Sequence, residues 1–412
     1  MTSRLARLAL MLALQFGSQA GAEPLPDVPP YAGVYQPQGV DEIGLWHEYD
    51  ESERALAAST LVINDEKLNS YVKRVMCDVI GEERCKSVRI YIMREPTTNA
   101  NMSANGTMRV FSGLLLRMHN ESELASVLGH EFGHFERRHG LERFKAARSG
   151  TDILSWSAVL VGVAATYGTY GVYRNSYSNH RNLQLTIYGD LYRYQRNQER
   201  EADSLGIAYL NHSRLKPQSA SLFWQNIMAE AEASARARGL KKPEFNKIAF
   251  LASHPPDGER AAYLSALASP DGAARDDGAA RYRAALAAWM PTFLEDQIKL
   301  NDFGGSDYLI QSLAVDGWTA WLHYARGELY RTRGSPRDLA NAADFYAKAI
   351  EADAAMADAA MADAYRGLGL ALMKTGQPSD GQKALRTYLD LKPDASDAGL
   401  IRMMLPKEVM TQ

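Results

Sequence analysis

Apolar residues at Leu124, Val127, Leu128, Phe132 and Phe135 recur at the spacing of one helix face, with Glu121 and Glu123 near the start. This pattern predicts a helix from Ser122 to Arg138. Further helices are predicted over about Glu66 to Val79 and, with a more polar surface, over Ile187 to Leu210. Between the first two lie short β-rich runs, Val88-Arg89-Ile90-Tyr91-Ile92 and Thr107 to Phe111, which predict strands at 88–93 and 107–111. The second ends just before Gly113 and reads either as a sheet edge beside the long helix or as an ordinary interior strand. Ile153 to Tyr173 is uncharged and long enough to span a membrane. After Ala262 a polar segment, Ser269 to Gly278, separates this half from a C-terminal half predicted to be helical, beginning with helices at 280–300 and 308–322.

Composition narrows the class. The chain has 412 residues, 46% hydrophobic and 23% charged, which leaves room for two domains with a core in each. A formal net charge of -3 carries no basic excess and argues against a nucleic-acid partner. Arg4 and Arg7, the apolar run Leu8 to Leu14, and Ala20-Gly21-Ala22 describe a secretory signal peptide cleaved after Ala22. A retained N-terminal anchor is the alternative, although the apolar run is shorter than a membrane span. In an exported chain Cys77 and Cys85, at a helix end and before a strand, are expected to form a structural disulfide rather than a free or redox-active pair.

The long helix carries the chemistry. It contains His130-Glu131-Phe132-Gly133-His134, an HExxH motif. At i and i+4 the two imidazoles leave one helix face and can share one metal ion, with Glu131 beside the open coordination position. Zinc on three protein ligands lowers the pKa of a bound water to about 7, and a neighbouring carboxylate can take its proton. A third His at the HExxHxxGxxH spacing is absent, because Arg137 and Gly140 stand at the Gly and His positions. His139 is one residue short and reads as an exposed helix-end residue. The third ligand is therefore expected from Glu199 in Glu199-Arg200-Glu201-Ala202-Asp203. Asp203, four residues on and on the same face, is expected to accept a ring N–H from one of the ligand histidines.

With these motifs the chain resembles the zinc peptidases that include the CAAX prenyl protease, the HtpX heat-shock protease and their soluble periplasmic relatives of the β-barrel assembly-enhancing kind. The resemblance rests on Asn99-Ala100, Gly113-Leu114-Leu115, Glu123-Leu124, Val127 to His134, Glu199 to Asp203 with Gly206, and Ser253-His254-Pro255 followed by Arg260. It departs at Asn101-Met102-Ser103-Ala104. It implies one Zn2+ on His130, His134 and Glu199, Glu131 as general base and acid, and His254 and Arg260 close to the metal. It also favours the edge reading of the strand before the helix. His254 is open to three readings: an oxyanion donor, a fourth ligand that blocks the resting site, or a packing residue.

A span at 153–173 would put His134 and Glu199 on opposite sides of a membrane, so spanning is rejected. A mobile lid, a membrane or client contact, and a buried core helix remain open for that segment. In the C-terminal half, Gly327, Tyr330, Ala342, Tyr346 and Ala349, and then Leu368-Gly369, Leu372, Gly376, Gly381, Leu385, Tyr388 and Pro393, follow the tetratricopeptide pattern.

The expected fold is α+β and mainly helical: a gluzincin-type metallopeptidase domain with a small sheet, then an all-α repeat domain. The expected divisions are a signal peptide at 1–22, the peptidase at 23–268, a linker and connecting helix at 269–299, and repeats at 300–412. The expected function is periplasmic endopeptidase action on misfolded or stalled envelope proteins. The repeats would recruit clients or the outer-membrane assembly machinery. The competing class is a chaperone-like or scaffold protein that works through the repeats with a residual peptidase site.

Overall fold

The computed structural model describes residues 37–148, 196–245, 257–353 and 361–406. The signal-peptide segment, the apolar stretch 153–173 and His254 lie outside them. The fold is mainly helical with one small sheet. Among the described residues no helix is long and apolar enough to cross a membrane.

The chain enters through α1 (Gly39–Ala57) and α2 (Glu66–Ile80), the latter capped by Asp65, whose side chain accepts from the Lys67 and Leu68 amides. α2 buries Leu68, Val72, Val75, Met76 and Val79 on one face. A short helix, α3 (Glu82–Cys85), follows, and Cys85 is bonded to Cys77 with a Cα–Cα distance of 5.1 Å. The bridge ties α2 to the turn before β1 (Arg89–Met93), the link expected from the sequence.

The sheet corrects the edge reading. Its order is β1-β3-β2, with β3 (Thr107–Phe111) in the middle, parallel to β1 and antiparallel to β2 (Ala100–Met102). Every residue of β3 is buried, so it is an interior strand. β2 lies on the other side of β3 from β1 and packs against the motif helix. Three residues long and containing Asn101, it carries no alternating pattern that would have shown it.

α4 (Ser112–Arg117) leads to α5 (Glu121–Glu136), the motif helix. Asn120 accepts from the Glu123 amide and the Glu123 carboxylate accepts from the His119 amide, so both ends of the first turn are satisfied. Glu121 is buried at this N-terminus between Arg74 and Arg281. Burial pushes its carboxyl up, but the two guanidiniums outweigh it and hold it below the usual range. α5 stops two residues before the predicted end. Arg138 adopts a left-handed backbone (φ 58°) and α6 (His139–Arg148) starts at the next residue.

α7 (Arg196–His212) crosses α5 closely. A Cβ added at Gly206 would stand 2.9 Å from the His130 backbone nitrogen, and one at Gly133 would stand 3.1 Å from the Ala202 Cα and carbonyl. Gly129 and Gly133 therefore face Ala202 and Gly206 with little between the two backbones. α8 (Ser219–Ala237) and α9 (Asp257–Leu267) pack together on the α5–α7 pair.

The segment read as a polar linker is held down. The Asp277 carbonyl accepts from the Ser122 amide at the start of α5, and Arg275 donates to the Asn211 and Ser213 carbonyls. The predicted helix at 280–300 is two, α10 (Ala279–Leu286) and α11 (Met290–Ile298), the second opening on Pro291. The predicted helix at 308–322 is also not one. α12 (Phe303–Ser312) is capped by Asp302, and Gly317 (φ 114°) precedes the next helix. One hydrophobic core runs from Ile63 through Tyr282, Phe293 and Leu309 to Leu329. α13 (Ala320–Arg333) carries the last of these residues, and α14 (Pro336–Asp353), α15 (Ala362–Lys374) and α16 (Pro378–Leu391) pack after it in chain order, followed by the short α17 (Ala398–Met403). The buried ring of Tyr346 leaves no room for a side chain at Gly327 or Gly367.

Candidate metal centre

The α5–α7 crossing brings His130, His134 and Glu199 together, each buried, with one ligand atom apiece within 4.8 Å of the others. The Nε2 atoms of the two histidines are 3.1 Å apart. Glu199 places its oxygens 3.6 Å from His130 Nε2 and 3.5 Å from His134 Nε2. Nitrogen and oxygen ligands about 2.0–2.1 Å from a tetrahedral centre stand about 3.3 Å from one another. The observed spacings bracket that value, so the donor set fits one small divalent cation. These are hard or borderline donors with no thiolate, as zinc accepts.

Glu131 stands one residue beyond His130, its oxygen 4.0 Å from His130 Nε2. The Met102 amide of β2 donates to its carboxylate. Burial first, and the neighbouring Glu199 charge second, push the Glu131 carboxyl well above the usual range, with Arg260 opposing them. A divalent cation on the three ligands would act in the same direction as Arg260, favouring the charged carboxylate.

Each motif histidine is held from behind on its Nδ1 side. His130 Nδ1 is 2.7 Å from Asp203 Oδ1. Asp203 in turn accepts from Arg260 Nε at 2.8 Å, from the Arg260 Nη2 and from the Tyr263 hydroxyl. Burial would raise the Asp203 carboxyl, but Arg260 and then His130 outweigh it and hold it far below the usual range. The Arg260 guanidinium also stacks 3.9 Å above the Trp224 ring.

His139 overturns its sequence reading. It is buried, 1% exposed, with Nδ1 2.9 Å from His134 Nδ1 and Nε2 3.3 Å from Glu201 Oε2. Burial pushes its imidazole below the usual range against the opposing pull of Glu201. Tyr263, Trp224 and the Met102 amide are the other participants that the motifs did not reveal. Nothing in the local pattern singles out Trp224.

An apolar cavity of about 210 Å³, walled by Leu114, Val127, Ile207, Phe223 and Leu264, opens onto His130 and Glu131.

Comparison with known proteins agrees with this geometry. The sequence profile of Peptidase family M48 matches residues 63–268, half of the chain. The chain is 25% identical over 192 residues to the mitochondrial metalloendopeptidase OMA1 of Schizosaccharomyces pombe, covering 46% of this chain and 50% of that protein. It is 25% identical over 239 residues to the beta-barrel assembly-enhancing protease of Escherichia coli K12, covering 55% and 46%. To the metalloprotease YcaL of the same organism it is 29% identical over 172 residues, covering 40% and 56%. The chain thus spans about half the length of the curated relatives it matches.

Proposed function

The chain belongs to peptidase family M48, and on that premise we propose that it is a zinc-dependent endopeptidase acting on envelope proteins in the periplasm. The observation that carries this is the convergence of three buried ligand atoms beside a buried carboxylate, at the mouth of an apolar cavity.

His130, His134 and Glu199 would hold the ion. When bound, zinc supplies a Lewis acid for the carbonyl and lowers the pKa of water. Glu131, held by the Met102 amide, takes the proton of the attacking water and delivers it to the leaving amine. The family resemblance implies Arg260 close to the metal. Its guanidinium is paired with Asp203 and its Nη2 also lies 3.2 Å from His130 Nδ1, so its role is to hold Asp203 against the His130 ring. His254 enters the proposal only as a further group near the ion, implied by the family resemblance.

The cavity suggests a preference for an aliphatic or aromatic side chain next to the cleaved bond. Ala220 lies on its wall and is fully buried. Ala220→Leu should leave metal content unchanged and lower kcat/KM for peptides with Phe or Leu at that position by about 10- to 200-fold, the range over which an apolar pocket discriminates size. Peptides with Ala there should be much less affected. A uniform loss across all peptides would show that the cavity is not a substrate pocket.

The name of the Escherichia coli relative supports outer-membrane protein precursors as clients. We divide the chain accordingly: peptidase at 23–268, connecting segment at 269–299 and tetratricopeptide-like repeats at 300–412, the last offering a surface for clients or assembly partners. The 1–22 segment serves as the export signal. The test is metal content together with casein cleavage by the purified chain. One zinc per chain and chelator-sensitive cleavage are expected. A zinc-free chain that binds unfolded protein without cleaving it would favour the scaffold or chaperone class.

A further inference from the structure

Resting on the assignment of His134 as a metal ligand, we infer that His139 and Glu201 form a relay that sets the tautomer of His134 and so aims its Nε2 lone pair at the ion. His139 is a positioning residue that touches neither substrate nor metal. Its function follows from counting protons along a chain of three groups.

Only one proton can lie between His134 Nδ1 and His139 Nδ1 at 2.9 Å. Which ring carries it is decided at the far end. His139 Nε2 faces a Glu201 oxygen at 3.3 Å, and that carboxylate, also paired with Arg137 at 3.0 Å, presents acceptor oxygens. The proton on a neutral His139 is therefore at Nε2, which leaves Nδ1 as an acceptor. His134 must then donate from its own Nδ1, and its Nε2 is left bare, facing His130 Nε2 and Glu199. Were the chain reversed, a neutral His134 would carry its proton at Nε2, where the ion must bind.

The two ligand histidines are thus handled differently. His130 meets a carboxylate directly, Asp203, itself held by Arg260 and Tyr263. His134 meets its carboxylate through an intervening imidazole, and that carboxylate is at the surface: the Glu201 side chain is 47% exposed and also pairs with Arg137 at 3.0 Å. The left-handed turn at Arg138, whose guanidinium pairs with Glu42 at 3.2 Å, is what returns the chain so that His139 lies behind His134.

The test is zinc affinity, measured by competition with a chromophoric chelator, with the cobalt-substituted visible spectrum as a second readout. His139→Phe keeps a ring but removes the acceptor, and should weaken zinc binding about 10- to 100-fold, as loss of an outer hydrogen bond to a ligand histidine does. His139→Asn restores an acceptor near the Nδ1 position and should recover most of that loss. Glu201→Gln, at the surface where folding is not at stake, replaces the acceptor-only end with a group that can also donate. It should weaken binding several-fold and alter the cobalt spectrum. Parent-like affinity in both His139→Phe and Glu201→Gln would overturn the relay, as would failure of Asn to outperform Phe. The ligand assignment itself is tested by His134→Ala: if that variant loses zinc while His139→Phe does not, the relay alone fails, and if it retains zinc, the metal-centre reading fails with it.

Discussion

Glu131→Gln is expected to bind zinc as the parent does and to cleave casein about 100- to 10,000-fold more slowly, the usual range for a lost general acid–base group. The side chain is not among the three converging ligands, so the ion should stay. On the proposed mechanism, what goes is the group that accepts the proton of the attacking water and returns it to the amine. Gln preserves the shape of the carboxylate and can still accept from the Met102 amide through its carbonyl oxygen. It cannot take a proton. Removal of a ligand has the opposite signature, since His134→Ala or Glu199→Ala should lose both metal and turnover. Metal content by elemental analysis and casein turnover on the same preparations separate the two cases. Glu131→Gln cleaving at the parent rate would end the proposed mechanism.

Gly206→Val should damage the metal centre while touching no proposed catalytic or ligand side chain. A Cβ there would stand 2.9 Å from the His130 nitrogen and 3.1 Å from its Cα, and both are backbone atoms that cannot rotate away. Two further methyl groups enlarge the conflict, so α5 and α7 must move apart. Overpacking of this kind costs about 1–3 kcal/mol. The larger effect is on the metal, because His130 and His134 are on one helix and Glu199 on the other. A displacement of about 1 Å is half of a metal–ligand bond length. Zinc affinity should fall at least 100-fold, on the order of 3 kcal/mol at 1.4 kcal/mol per factor of ten. Gly44→Ala is the control: it lies within α1 with open space around it and should be neutral or slightly stabilising. Zinc competition and thermal unfolding read both variants. Parent-like zinc affinity in Gly206→Val would show that the crossing distance does not set the site.

Much of this protein is legible one helix at a time. The 3.6-residue period marks α5, α2 and the described end of the Glu199 helix to within two residues, because each presents an apolar stripe to the core. It also put His130 and His134 on one face, since i and i+4 coincide on any helix. β3 was read residue for residue from its β-rich composition. Its place in the sheet was not, because strand order depends on β2, which is three residues long and takes its strand geometry from pairing with β3.

What the tertiary structure alone decided concerns groups that meet across elements or across a break in periodicity. Arg260 and Tyr263 meet Asp203 from a helix more than fifty residues away in sequence. Trp224 completes that cluster from a third helix. His139 is the sharpest case. Had α5 continued, residue 139 would lie about 140° around the helix from His134, at 100° per residue, and would point away from the three converging side chains. One left-handed residue, Arg138, ends the helix and folds His139 back beneath His134. Periodicity describes a helix only while it lasts, whereas the backbone angle at its end is settled by what α6 and α1 pack against. The side chains that can bind an ion are therefore written in local spacing, and the groups that set their protons and their aim are assembled by the fold.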